Sequence, residues 1–121
     1  MSDRTRTVLV VDDDPQILRL VEKMLRARNV TVLSAPRPAE ALQICASQPV
    51  HLLISDVLMP EMDGNRLAER VLKLQPQAAI LLISGYDKEP AAAKSGHVKF
   101  LKKPFFPSQL IHYLRELLPE E

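Results

Sequence analysis

A doubly wound α/β fold, one parallel five-stranded sheet with helices on both faces, is what this sequence predicts. Two observations carry the prediction. Short apolar runs alternate five times with amphipathic segments, and the connections between them are brief. The 121 residues make one compact domain with one core, so residues 1–121 are read as a single unit.

Val8-Leu9-Val10-Val11 is uncharged and β-branched, which predicts a first strand buried on both faces. Pro15 opens a helix to Arg28, because its missing N–H costs nothing in a first turn. The apolar positions Ile17, Leu20, Val21, Met24 and Leu25 recur at helical spacing and are expected to face the core. Thr31–Ala35 is a shorter strand near an edge. Pro38–Ser47 is a second helix with Ala41, Leu42 and Cys45 inward. Leu52-Leu53-Ile54-Ser55 is a third strand ending at Asp56, and Met59-Pro60 with Asp63-Gly64 marks a turn-rich loop. Asn65–Leu74 is a third helix, and Ala79–Ile83 a strongly apolar fourth strand ending at Ser84-Gly85. Asp87–Ser95 holds Pro90 and few large apolar residues, so the fourth helix is short or loosely packed. Val98–Lys102 is a fifth strand with apolar Val98 and Phe100 and a part-buried Leu101, and Ser108–Leu118 is the last helix. Short right-handed crossovers make the flavodoxin-like strand order 2-1-3-4-5 the expected topology, with its crevice between the ends of strands one and three.

Composition excludes several classes. Sixteen Lys plus Arg against 15 Asp plus Glu leave a net charge of +1, which makes no electrostatic case for nucleic acid or an anionic membrane. The single cysteine, Cys45, cannot form an internal disulfide, and its helical, apolar neighbourhood suits a small core residue better than a nucleophile. Residues 1–6 lack the apolar segment of a signal peptide, and no stretch is long enough to span a bilayer. A cytoplasmic location is the resulting expectation.

Asp12, Asp13 and Asp14 follow directly on the first strand, at the end where open α/β sheets place their sites. Asp14 is expected to cap the first helix. Asp12 and Asp13 either sit in a solvated loop or join Asp56 around a divalent cation that relieves their repulsion. A carboxylate such as Asp56 is a competent nucleophile toward phosphorus. Phosphoryl transfer then requires mostly positioning and charge neutralisation. Mg²⁺, or Mn²⁺, held by Asp12, Asp13 and Asp56 would supply part of that. Lys103 is the candidate cation opposite the metal, whereas strand alternation turns Lys102 to solvent. Ser84, at the end of strand four, could donate its hydroxyl to a phosphoryl group. Each residue alone has a plain structural explanation. Four polar positions at the carboxyl ends of strands one, three, four and five are harder to ascribe to surface composition.

With these residues on the page, the chain resembles the receiver domain of bacterial two-component response regulators, over essentially its whole length. The carrying motifs are Val8–Pro15 (VLVVDDDP), Leu52–Gly64 (LLISDVLMPEMDG), Ile83–Tyr86 (ISGY) and Phe100–Phe105 (FLKKPF). The resemblance implies Asp56 as phosphoacceptor, and Asp12 and Asp13 as metal ligands joined by Asp56 and the Leu58 backbone carbonyl. It implies Lys103 as the phosphoryl-contacting lysine, Ser84 as switch hydroxyl, Phe100 as switch aromatic and a cis bond before Pro104. A fixed core aromatic is the other reading of Phe100. The implied partner is a sensor histidine kinase or phosphotransfer domain. Phosphorylation would reshape the surface made by the fourth helix, fifth strand and last helix. The resemblance further implies a signalling switch rather than a turnover enzyme, acting as a monomer or weak dimer.

Departures from the family pattern carry expectations of their own. The stretch from Ser84 to Lys103 is short for the family, which predicts a shortened fourth helix. That feature and the FLKKPF ending recur in receivers attached to hybrid sensor kinases. Phe106 replaces the usual hydroxyl cap of the last helix. Leu58 is apolar and Tyr86 bulky at positions that tune dephosphorylation in the family, which predicts a long-lived phosphorylated state. No output domain follows the last helix, so the chain reads as a stand-alone regulator or as a domain of a larger kinase.

Three rivals fit less well. A haloacid-dehalogenase-type phosphatase would share Asp-x-Asp, but Gln16 stands where Thr or Val is expected, and no second acidic pair follows strand four. Flavin binding lacks a phosphate loop after strand one, where the acids would repel a flavin phosphate. A non-switching interaction module of the same fold would tolerate the weak fourth helix but has no need of the full set of phosphorylation residues.

Overall fold

The computed structural model describes residues 6–85 and 98–118. Five strands and four helices follow in chain order: β1 (Arg6–Val11), α1 (Pro15–Arg26), β2 (Val30–Ala35), α2 (Pro38–Ser47), β3 (Leu52–Asp56), α3 (Gly64–Leu74), β4 (Ala79–Ser84), β5 (Val98–Lys102) and α4 (Pro107–Leu117). All strand pairs are parallel, in the order β2-β1-β3-β4-β5. The weak helix expected over residues 87–95, and with it the shortened fourth helix, lies outside the described residues. Among the described residues no helix is long and apolar enough to cross a membrane.

Strand periodicity divides the core in two. Leu9, Val11, Leu53, Ile80, Leu82 and Val98 face one side, where Ala41 and Cys45 of α2 and Leu67, Ala68 and Val71 of α3 cover them. Val8, Val10, Leu52, Ile54, Leu81, Ile83 and Leu101 face the other, beneath Val21 and Leu25 of α1 and Leu110 and Leu114 of α4. Both faces are covered, so the central strands β1, β3 and β4 carry continuous apolar runs, Val8–Val11, Leu52–Ile54 and Ala79–Ile83, rather than alternating. The edge strand β2 is only partly buried.

Several local expectations need correction. β1 starts at Arg6 rather than Val8, because Arg6 and Thr7 already pair with Val30 and Thr31. α1 ends at Arg26 rather than Arg28; Arg28 N–H turns back to the Leu25 carbonyl at 2.9 Å. Leu20 is 46% exposed. It lies one helical step, about 100°, from Val21 at the centre of the buried stripe, and Leu18 packs in its stead. Leu101 is fully buried and Phe100 half-buried, the reverse of their expected ranking, because Leu101 points under α4. α4 begins at Pro107, and its first turn lacks a side-chain cap from Phe106. The Gln109 side chain instead accepts the Phe106 N–H at 2.7 Å.

Gln75 ties α2 to α3 at the end of the sheet remote from the acids. Its amide donates to the carbonyls of Cys45 and Gln48, both at 2.8 Å, and its oxygen accepts the Val50 N–H. One side chain thus satisfies carbonyls that the end of α2 leaves unpaired.

Candidate functional site

Period two decides which side chains meet beyond the sheet. Asp12 continues the phase of Val8 and Val10, Asp56 that of Leu52 and Ile54, and Lys103 that of Leu101. All three therefore leave the sheet on the α1/α4 face. Lys103 Nζ lies 3.4 Å from Asp56 Oδ2 and 3.8 Å from Asp12 Oδ2. The Lys103–Pro104 peptide is cis, as expected, and the Lys103 N–H donates to the Ser84 carbonyl at 2.7 Å. Lys102 is exposed, also as expected.

The three acids after β1 have separate environments. Asp14 caps α1, accepting the Gln16 N–H at 2.9 Å. Asp13 is exposed. Asp12 is buried, at 2% exposure, with Oδ1 accepting the Asp14 N–H at 2.9 Å. Burial drives the Asp12 carboxyl up from 3.8 to about 6, assisted by the charges of Asp56 and Asp13 and opposed by the Asp14 N–H and Lys103.

One carboxylate oxygen from each of Asp12, Asp13 and Asp56 lies within 4.8 Å of the other two. These are hard oxygen donors crowded at the end of the sheet, with Asp12 resisting ionisation chiefly because it is buried. The set fits a divalent cation of the Mg²⁺ class.

Asp56 ends β3 where the sheet changes. Pairing with β1 stops at Val11 and Ser55, while pairing with β4 continues through Asp56 and Ile83. The Val57 N–H donates to the Ile83 carbonyl at 2.9 Å. Leu58, 53% exposed, donates its N–H to Asp56 Oδ1 at 3.3 Å. Asp63 caps α3 by accepting the Arg66 N–H at 3.1 Å, and α3 starts at Gly64, one residue before the expected Asn65.

Ser84 and Phe100 belong to the opposite face, in phase with Leu82 and Val98. Ser84 is 2% exposed, and Phe100 packs partly against the α2/α3 core. The register pairs Leu82 with Phe100 and Ser84 with Lys102, so the hydroxyl and the ring are diagonal neighbours on one face. Tyr86 lies outside the described residues. Cys45 takes no part; it is buried under the α2/α3 face and burial pushes its thiol up. The sequence placed Gly64 in a turn and at the end of the motif Leu52–Gly64, without a role of its own. The structure packs it directly behind the Asp56 backbone, and the signal for this was a glycine immediately after a helix-capping aspartate.

Comparison with known proteins agrees with this arrangement. The family model described as the response regulator receiver domain matches residues 8–115. The transcriptional regulatory protein GlrR of Escherichia coli K12 is 32% identical over 99% of this chain, which spans 28% of GlrR's length. The sensor kinase CckA of Brucella abortus is 36% identical over 95% of this chain, which spans 13% of its length. Among solved structures, the signal receiver domain of an HD domain-containing protein from Pseudomonas fluorescens Pf-5 superposes with a TM-score of 0.87 at 30% identity, covering 95% of each chain.

Proposed function

This chain belongs to the response regulator receiver domain family, and from that premise we propose that it is the phosphoacceptor switch of a two-component phosphorelay. Asp56 attacks phosphorus with a carboxylate oxygen, the phosphohistidine P–N bond breaks, and the imidazole of a sensor histidine kinase or phosphotransfer domain leaves with a proton. The observation that carries this reading is Lys103 Nζ at 3.4 Å from Asp56 Oδ2, beside an acidic pair at the end of β1.

Asp12, Asp13, Asp56 and the Leu58 carbonyl would hold Mg²⁺ or Mn²⁺, which when bound supplies positive charge to the transferring phosphoryl oxygens. Lys103 neutralises the phosphoryl oxygens on the other side, from a position fixed by its backbone bond to Ser84. The Ser84 hydroxyl turns toward the new phosphoryl group, and Phe100 follows into the space released on their shared face. The consequence is a changed surface along β5 and α4. Asp56 is consumed by phosphorylation and restored by hydrolysis, so the domain assists its own modification but signals rather than turns over a substrate.

Leu58 sets the lifetime of this state. Its apolar, half-exposed side chain beside Asp56 has no group to orient an attacking water. The similarity to a sensor kinase supports a histidine kinase pathway as the source of phosphoryl groups.

Intact-protein mass after acetyl phosphate treatment, with and without Mg²⁺, tests the assignment. One phosphoryl adduct is expected, requiring the cation and lost in Asp56→Asn. An adduct that persists in Asp56→Asn would remove Asp56 from the role.

A further inference from the structure

We propose that Gly64 is a positioning residue for Asp56, a stop against which the phosphoacceptor's backbone is seated; the inference rests on the assignment of Asp56 made above. A Cβ at Gly64 would fall on the Asp56 carbonyl oxygen and stand 2.9 Å from Val57 Cα and 3.1 Å from the Asp56 carbonyl carbon. No glycine among the described residues has a positive φ, so conformation does not require glycine here. Space does. The Gly64 N–H also donates to the Val57 carbonyl at 2.8 Å, which draws the start of α3 onto this backbone.

Two bodies meet at this contact, and they differ in stiffness. α3 is anchored by Leu67, Ala68 and Val71, all 0% exposed, so its first residue has little freedom to retreat. Asp56 has lost its β1 neighbour, whose pairing ends one residue earlier, and is held laterally by β4 alone. Its carbonyl accepts the Ser55 hydroxyl at 2.9 Å, a bond to the preceding residue of the same strand that ties it to no other element. A methyl group at position 64 therefore displaces Asp56 rather than α3. The carboxylate then moves relative to Asp12, Asp13 and Lys103.

The test compares wild type, Gly64→Ala and Gln75→Ala, the last a destabilising change at the far end of α3, remote from the acids. Each is measured at a temperature where urea titration shows it folded. The readouts are Mn²⁺ affinity by electron paramagnetic resonance, the phosphorylation rate at saturating acetyl phosphate and Mg²⁺, and a crystal structure. Gly64→Ala is expected to weaken Mn²⁺ binding on the order of tenfold, by analogy with the loss of ligand-orienting groups. It is expected to slow phosphorylation on the order of tenfold to a hundredfold, the penalty for a misplacement near 1 Å. Gln75→Ala keeps both within about twofold, because it removes bonds to the end of α2 without touching the acids. The inference is overturned if Gly64→Ala loses only stability, with wild-type affinity and rate, or if its crystal structure shows Asp56 unmoved and α3 shifted. If wild type itself takes neither Mn²⁺ nor a phosphoryl group, the phosphoacceptor assignment fails separately. The crystal structures then decide alone, a displaced Asp56 supporting the positioning role and an undisplaced one overturning it.

Discussion

In cation-free protein, Asp12→Asn should make the domain more stable. Asp12 is 2% exposed, and burial first, then the neighbouring acids, raise its carboxyl from 3.8 to about 6. A raised carboxylate pKa means that the folded state holds its proton more tightly than the unfolded chain. Its contribution is present in full below 3.8 and is lost as the pH rises through about 6. At about 1.4 kcal/mol per pH unit, ionised Asp12 withholds about 3 kcal/mol of stability at neutral pH. Asparagine removes the charge while its Oδ1 still accepts the Asp14 N–H. It also gives up the attraction to Lys103 at 3.8 Å, so about 3 kcal/mol is an upper bound. The assay is urea unfolding of both proteins in chelator across pH 3.5 to 7.5, repeated in Mg²⁺. In chelator the advantage of Asp12→Asn should grow from near zero at the acid end to its plateau above about 6. In Mg²⁺ it should shrink, because only the wild type keeps its full ligand set. Asp12→Asn being the less stable protein at pH 7.5 in chelator, or an advantage independent of pH, would refute the argument.

Lys103→Met should act in the opposite direction. It leaves Asp12 and Asp56 without their nearest cation, so cation-free stability falls, and phosphorylation from acetyl phosphate should slow roughly 10²-fold, as for loss of one group that stabilises transferring charge. Stopped acetyl phosphate reactions read by intact mass, beside urea titration, check both signs. Leu58→Asn should shorten the phosphoryl lifetime about tenfold, less than the roughly 10²–10⁴-fold of a full general acid or base, because an amide orients water without taking its proton; the decay of the adduct after removal of acetyl phosphate measures it. Gln75→Ala should cost about 1–3 kcal/mol in chemical denaturation, since it orphans two carbonyls and one N–H between α2 and α3, while phosphorylation rates stay at wild type.

The element order, the parallel sheet and the meeting of Asp12, Asp13 and Asp56 were legible in the chain itself. These features rest on local regularities. A strand alternates every second residue, so placing Val8 and Val10 beneath α1 also places Asp12, and the same count from Leu52 and Leu101 reaches Asp56 and Lys103. Asp14 could be separated from its neighbours because capping depends on the next few residues alone. The same counting put Leu20 on the wrong side, since helical spacing defines a stripe but not its centre, and the centre is decided by what the helix packs against.

Tertiary structure decided what depends on distance through space. Asp12 is buried and Asp13 exposed, although they are adjacent and chemically identical, because only the Asp12 direction is closed over by the sheet end and the α1/α4 side. Desolvation, and hence the raised Asp12 carboxyl, follows from that enclosure and from nothing in the residue itself. What Gly64 and Gln75 meet was undecided by the sequence for the same reason. A glycine's missing Cβ matters only when another backbone occupies the space, and a glutamine becomes a clamp only when two helix ends converge on its amide. Periodicity along one chain specifies which way a side chain points, whereas contact between elements distant in sequence specifies what it meets.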